Sequence, residues 1–344
     1  MALETVHIGL GPIGQSVVRA AAATGAARPV LLVDSSPELV ERFAGEFMSG
    51  IPVWVAEQPV VEDLASAWEW VVASSVVCPS VAVIATGSRL TQVADTILDA
   101  VRCGLNVVST CEELAFPWLR HRDLADEIHA AALENGVTVL GVGVNPGFVA
   151  DLLPALLASR AALNVRRVFV ERVVDARRRR VPLQRKIGAG LSPKQFEDLA
   201  QEGKIGHVGL AESACLVAEA LGVEWKGNVR ETIVPVLAEQ EVASDGLYVA
   251  PGSVRGIEQV ASVEADGAAI TLRLRMALGE PDEHDHIQVE GDPPIDLTLR
   301  PCIHGDQATV ACVVNSLEAV VQAAPGLKTV LDLPVATRCS RNCH

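Results

Sequence analysis

Between Thr5 and Asp34 the chain carries a pattern that few folds can accommodate. Thr5-Val6-His7-Ile8 alternates like a β-strand, Gly9-Leu10-Gly11-Pro12-Ile13-Gly14 follows, and an Ala/Val-rich segment from Gln15 to about Thr24 has helical character. A second apolar run, Val30-Leu31-Leu32-Val33, ends on Asp34, twenty residues after Gly14. Strand, glycine turn, helix and strand make a βαβ unit, whose two strands lie parallel in one sheet. Each glycine has its own task there. Gly9 permits the tight turn, Gly11 lets the backbone approach a pyrophosphate, and Gly14 lets the helix lie close on the strand. Pro12 and Ile13 then open a helix whose N-terminal N–H groups and dipole favour phosphate. The pattern therefore predicts a dinucleotide site.

Asp34 bears on which dinucleotide. A carboxylate at this strand end accepts hydrogen bonds from the adenosine ribose hydroxyls and repels a 2′-phosphate. No arginine follows directly; Ser35, Ser36 and Pro37 come next, and the nearest arginine is Arg42. NAD is the expected cofactor. The two serines leave room for a phosphate, so NADP stays open beside it.

The alternation of strand and helix continues to residue 148. Pro37 to Gly45 reads as helix, Ile51 to Val55 as a short strand, and Val60 to Ala73 as a helix carrying Trp68 and Trp70. Val81 to Ala85 is continuously apolar, as a central parallel strand covered on both faces must be. It ends at Thr86-Gly87-Ser88, ahead of a helix from Leu90 to Cys103. Asn106 to Ser109 is a strand ending at Thr110-Cys111-Glu112-Glu113. A helix running to Asn135-Gly136 and a strand over Val137 to Val142 lead to Asn145-Pro146-Gly147-Phe148. This is a doubly wound parallel sheet, with its ligands at the carboxyl ends of the strands. All five polar clusters lie there, including Thr86, Gly87, Ser88 and Thr110 as further cofactor contacts.

Past residue 148 the pattern changes. Strands are expected over Val165–Val174, Ile233–Glu241, Val254–Ala265, Ala268–Ala277 and Ile295–Arg300, in a mostly antiparallel sheet. Helices are expected from Phe196 to Glu202 and from Gly206 to Leu221. A last helix, Asp306 to Ala323, returns to the first domain. The domains are thus 1–148 for the dinucleotide, 149–305 as an α+β substrate and dimerisation domain, and 306–344 as the returning helix and tail.

Bulk properties exclude several classes. Forty-three acidic against 28 basic residues give a net charge of −15, which argues against nucleic acid or an anionic membrane as the main partner. No apolar run reaches the ~18 residues a membrane helix needs, and the first residues lack a signal-peptide pattern. A cytoplasmic protein with its eight cysteines reduced is the expectation. No metal is expected. The tail Cys339 to His344 offers two thiols and one imidazole at a chain end, and Glu283-His284-Asp285-His286 reads as a solvated loop.

Glu112 and Glu113 are the candidates for acid/base chemistry. A carboxylate beside a nicotinamide stabilises a cationic iminium and accepts a proton from an ammonium group or attacking water. An acidic helix start, favoured by the dipole, is the competing reading of the same pair. Asn145 and Pro146 with Phe148 form a rigid turn, with Asn145 able to hold a substrate amine. Arg185, beside Lys186, is a candidate for a substrate carboxylate or a cofactor phosphate, and His207 reads either as another substrate contact or as a capping or core histidine. The run Arg177 to Arg180 and Cys111 read as solvated loop and core thiol.

Taken in order, these motifs resemble a known family. Gly9 to Gly14, Ser109-Thr110-Cys111-Glu112-Glu113-Leu114 and Asn145-Pro146-Gly147-Phe148 come first. Pro182-Leu183-Gln184 with Lys186-Ile187-Gly188-Ala189-Gly190, Gly206-His207-Val208-Gly209 with Glu212-Ser213, and Gly305 to Thr309 with Pro325-Gly326-Leu327 follow. The set is similar to the 2,4-diaminopentanoate dehydrogenases and the native amine dehydrogenases, with the dihydrodipicolinate reductases as more distant relatives. The resemblance implies a Rossmann domain and NAD(P)-dependent oxidative deamination of an amine or diamino acid. The reverse reaction is reductive amination of a ketone or aldehyde with ammonia. It also implies a homodimer, and a catalytic glutamate that maps to the Glu112-Glu113 pair without choosing between them. An imine reductase of the dihydrodipicolinate reductase type and a non-catalytic NAD-binding sensor are the alternatives. The former lacks here the basic cluster its chemistry uses.

Overall fold

A computed structural model describes residues 3–74, 79–179, 181–244, 247–265 and 267–335. Arg180, Cys78 and the tail with Cys339, Cys343 and His344 lie outside them. The chain divides into two compact units: unit 1 comprises Met1–Phe148 and Gly305–His344, and unit 2 comprises Val149–His304.

Unit 1 begins with β1 (Leu3–Ile8), α1 (Pro12–Thr24) and β2 (Ala27–Val33). It continues with α2 (Val53–Ala56), β3 (Val60–Val61), α3 (Leu64–Ser74), β4 (Val81–Ile84), α4 (Leu90–Arg102), β5 (Asn106–Ser109), α5 (Arg122–Glu134) and β6 (Thr138–Gly141). The strands pair in parallel. Their spatial order is β3-β2-β1-β4-β5-β6, closed by a strand from the far end of the chain. Order reverses between β1 and β4, and ligands of such sheets sit outside the carboxyl ends at that reversal. Burial of β4 is complete, as its unbroken Val-Ala-Val-Ile requires. One core cluster joins Val6, Ile8, Ala82 and Ile84 to α3, α4 and α5 through Leu64, Ile97 and Ile128. A smaller one gathers Leu10, Val18, Leu32 and Val55.

Between β2 and β4 the local expectations fail. Pro37 to Gly45 forms turns and a short 3₁₀ segment rather than a helix. Glu41 takes a left-handed φ of 66°, and its N–H turns to Val60 O while Val60 N–H turns to Arg42 O. Ile51 to Val55 is not a strand, because Pro52 caps the helical turn α2. The edge place goes to Val60–Val61, which the sequence reading had put inside a helix; α3 starts later, where Asp63 accepts the Ser66 N–H.

Unit 2 holds α6 (Leu152–Ala161), β7 (Leu163–Asp175), α7 (Val181–Lys186), α8 (Pro193–Gln201) and α9 (Leu210–Leu221). These are followed by β8 (Val229–Leu237), β9 (Val242–Ser244), β10 (Leu247–Val249), β11 (Val254–Ala265), β12 (Ala268–Ala277), β13 (His284–Asp292) and β14 (Ile295–Leu299). Six strands form a sheet in the order β14-β13-β7-β12-β11-β8, antiparallel except where β12 runs beside β7. The fold is thus α/β with a parallel and a mostly antiparallel sheet. Buried Asp151 fixes α6 against α9, accepting from Leu152 N–H at 2.6 Å and from Ser213 Oγ at 2.7 Å.

The segment Glu283 to His286 is not a solvated loop. His284 and His286 lie on β13, and Asp285 between them is buried on the inner face. Asp285 pairs with the equally buried Arg172 of β7 at 2.6 Å and accepts the Ile303 N–H at 2.7 Å. Arg172 also donates to Ile303 O. Burial raises the Asp285 carboxyl above its ordinary value, and Arg172 opposes that shift.

After unit 2 the chain re-enters unit 1 as α10 (Gly305–Gln322), which packs on α1 and β5. It ends with β15 (Gly326–Lys328), the seventh strand, beside β6. Gly326 N–H donates to Val137 O. Among the described residues no helix is long and apolar enough to cross a membrane.

Candidate active site

The glycine turn after β1 is shaped by contacts that exclude side chains. Gly9 has φ 91°, and a Cβ there would collide with Ala85 O and Thr86. A Cβ on Gly14 would fall inside the van der Waals envelope of Gly9 O. Gly11 differs: it is exposed, and a Cβ there would meet nothing within 4 Å among the described residues. It is the N-cap of α1, supplies no side-chain cap, and is followed by exposed Pro12 and half-buried Ile13. Open space therefore flanks a helix start whose first N–H groups lack intrahelical partners.

Asp34 stands at the end of β2. Its carboxylate accepts from Leu10 N–H at 2.6 Å and from Ser36 N–H at 2.8 Å, tying the glycine turn to the strand end. Each oxygen keeps a second lone pair, the capacity a ribose hydroxyl needs. Ser35 beside it is exposed. The open flank of Gly11, the uncapped helix start and this carboxylate fit a dinucleotide's pyrophosphate and ribose.

Beyond the reversal point, Thr86 is exposed, and Gly87, Ser88 and Thr110 are half-buried. Two loops are laced together here. Thr110 N–H donates to Ile84 O, Glu113 N–H donates to Ser88 O, and the Cys111 thiol lies 3.3 Å from Ser88 O. Glu112 and Glu113 open a 3₁₀ turn, Glu112–Ala115, and their environments diverge. Glu113 is 2% exposed. Its carboxylate accepts from Leu90 N–H at 2.8 Å, meets His121 Nε2 at 2.9 Å and Arg89 at 3.4 Å. Glu112 is only half-buried. Arg89 and His121 were missed by the sequence reading, because nothing in their spacing marks them as partners of Glu113. Burial pushes the Cys111 thiol up to about 12, which removes it as a nucleophile at neutral pH.

Asn145 is joined to Pro146 by a cis peptide bond, and Gly147 follows with φ 121°. A Cβ on Gly147 would strike Gly143 N, so this turn takes only glycine there. Val144 N–H donates to Thr309 Oγ1 of α10 at 3.3 Å. Asn145 and Phe148 are half-buried at the end of β6, while Pro146 is buried. In unit 2, Arg185 is exposed in the last turn of α7. His207 lies three residues before α9 rather than in it, its backbone held by Gln259 through bonds of 2.9 and 2.8 Å. Gly206 N–H donates to Lys186 O at 3.4 Å, so these two segments are neighbours.

The parallel sheet with its glycine turn is an NAD(P)-binding fold, and the relatives of the chain make it an oxidoreductase of the amine or amino-acid dehydrogenase kind. Residues 148–343 match the family model of the 2,4-diaminopentanoate dehydrogenase C-terminal domain, and the chain belongs to that family. It is 30% identical to the 2,4-diaminopentanoate dehydrogenase of Acetoanaerobium sticklandii over 74% of each chain. It is 25% identical to an amine dehydrogenase of Streptomyces virginiae over 98% of each. An amine dehydrogenase from Mycobacterium smegmatis shares the fold, with TM-score 0.82 and 23% identity over 97% of each chain.

Proposed function

We propose that the chain is an NAD(P)-dependent amine dehydrogenase, deaminating an amine or diamino acid oxidatively and running in reverse as a reductive aminase of a ketone or aldehyde with ammonia. The observation that carries this reading is the unequal burial of Glu112 and Glu113 at the end of β5. Glu113 is buried and committed to Leu90, His121 and Arg89. Glu112, half-buried at the same strand end, is the proposed acid/base. The kinship with an amine dehydrogenase and a 2,4-diaminopentanoate dehydrogenase supports the chemistry.

The proposed cofactor site consists of Gly9, Gly11, Pro12, Ile13 and Gly14 for the pyrophosphate, Asp34 and Ser35 for the ribose, and Thr86, Gly87, Ser88 and Thr110 beyond the sheet reversal. A bound nicotinamide supplies hydride exchange with the amine-bearing carbon. The protein's part is to orient the substrate and manage protons. Glu112 takes a proton from the ammonium form of the substrate, passes it to solvent, and as a carboxylate again takes one from the water that attacks the iminium carbon. Its negative charge also favours that cation. From the sequence, Asn145, Pro146, Phe148, Arg185 and His207 are the proposed substrate contacts. NAD is favoured over NADP by the Asp34 carboxylate. A homodimer is part of the proposal.

The test is loss of reduced-nicotinamide absorbance with high ammonium and a panel running from 2-amino-4-oxopentanoate to cyclohexanone and short aldehydes. NADH and NADPH are compared. Ammonium-dependent oxidation is the expected result. Oxidation that proceeds equally without ammonium would move the protein to carbonyl or imine reduction, and tight cofactor binding with no turnover would make it a sensor.

A further inference from the structure

The Glu113 carboxylate does something unusual for an acid beside a candidate catalytic residue: it joins the starts of two helices. Arg89 is the N-cap of α4 and makes no side-chain cap of its own. The first N–H of that helix, on Leu90, is accepted by Glu113 from a different strand end. His121 is the N-cap of α5 and likewise makes no side-chain cap. Its ring turns to Glu113, with Nε2 at 2.9 Å from the carboxylate. Two helix N-termini favour negative charge at this point.

Glu112 sits inside the resulting knot. On one side, Cys111 is held by its N–H to Ser109 Oγ at 3.1 Å and its thiol against Ser88 O. On the other, Glu113 is held by its N–H to Ser88 O and by its carboxylate. Just beyond, a Cβ on Gly141 would meet the Leu114 backbone at 2.5 Å, so β6 presses on the 3₁₀ turn from behind. The peptide bearing Glu112 thus has anchored residues on both sides, and the outermost anchor is His121, 25% exposed in its side chain.

We propose that Glu113 and His121 are positioning residues for Glu112: the His121–Glu113 hydrogen bond sets where the Glu112 carboxylate stands relative to the Thr86–Ser88 loop. The inference rests on the reading of Glu112 as the acid/base. Arg89 is secondary, since its pair with Glu113 is 3.4 Å long and its side chain is 46% exposed.

The experiment compares His121→Phe, which keeps ring volume without a donor, with His121→Gln, whose amide N–H reaches the Nε2 position. Glu112→Gln is run beside them. kcat, the cofactor Kd by fluorescence titration, and the folded fraction are measured for each. The Phe variant is expected to lose kcat on the order of 10²-fold, as displacement of a reacting group by about an ångström does. Its cofactor Kd stays within about 3-fold, and the Gln variant recovers most of the kcat. If the Phe variant does not fold, His121→Asn, one methylene short of Glu113, is read against Gln in the same way. A Phe variant with wild-type kcat, or equal losses in Phe and Gln, overturns the positioning role. If Glu112→Gln itself turns over normally, the acid/base reading fails instead, so the two failures are distinct.

Discussion

His7 gives the sharpest handle on the stability of unit 1. It lies on β1, on the face opposite Val6 and Ile8, and is 1% exposed. Nε2 is 3.0 Å from Thr5 Oγ1, and Nδ1 has no partner among the described residues. Burial without a compensating charge lowers its pKa from 6.5 to about 3. In the unfolded chain the ring protonates near its ordinary value, while in the folded chain it stays neutral. The unfolded state therefore binds the extra proton, and stability falls as pH drops below about 6.5, continuing toward 3. Each pH unit inside that window is worth about 1.4 kcal/mol. Between pH 7.5 and 5.0 the His7 contribution to stability should fall by about 2 kcal/mol. The control is His7→Phe combined with Thr5→Val, which removes the ring and its hydroxyl partner together. Urea unfolding is followed by tryptophan fluorescence, since four of the five tryptophans (Trp54, Trp68, Trp70, Trp118) belong to unit 1. A constant offset between the two proteins drops out, because only the change with pH is compared. Parallel pH dependences would refute the reasoning, and would mean that His7 protonates within the fold or that the strand opens first.

Other outcomes follow from the same geometry. Gly11→Ala should leave the melting temperature unchanged while weakening cofactor binding at least ~10-fold, because its Cβ enters only the space a pyrophosphate needs. Gly14→Ala should cost stability as well, on the order of 2 kcal/mol, since its Cβ meets Gly9 O; calorimetry and NADH titration separate the two cases. Arg172→Met should destabilise unit 2 by about 3 to 5 kcal/mol by leaving Asp285 buried and unpaired. Adding Asp285→Asn should recover part of that, because an amide still accepts the Ile303 N–H without charge; urea midpoints test both. Cys111→Ser, which keeps a donor for Ser88 O, should keep turnover within about 3-fold, because at pH 8 only about one thiol in ten thousand would be ionised.

Much of the parallel sheet could be read directly. The run at Val81–Ile84 is apolar because both faces are covered, and a strand of that kind has few other uses. Residues between β2 and β4 were misread because a left-handed Glu41 and a capping Pro52 override local propensity. The charge-rich β13 escaped notice for a different reason. Its inner face carries Asp285, and Arg172, more than a hundred positions away, joins the Ile303 N–H in making that burial tolerable. At the candidate site, the positions of Gly9, Gly14 and Asp34 follow from a local pattern with fixed spacing. The difference between Glu112 and Glu113 does not. It depends on helix starts at Leu90 and His121, and a pair of adjacent acids contains no information about either.

The placement of β15 has a bearing on synthesis. A ribosome completes all of unit 2 before it delivers the strand that finishes the sheet of unit 1. Until Gly326–Lys328 arrives, β6 is an edge strand, its outward N–H and C=O groups open to pairing with another nascent chain. The protection such an edge requires is supplied last, by a three-residue strand, and a chain that stalls inside α10 would be left with the edge of β6 as a templating surface where the finished protein presents only the short β15.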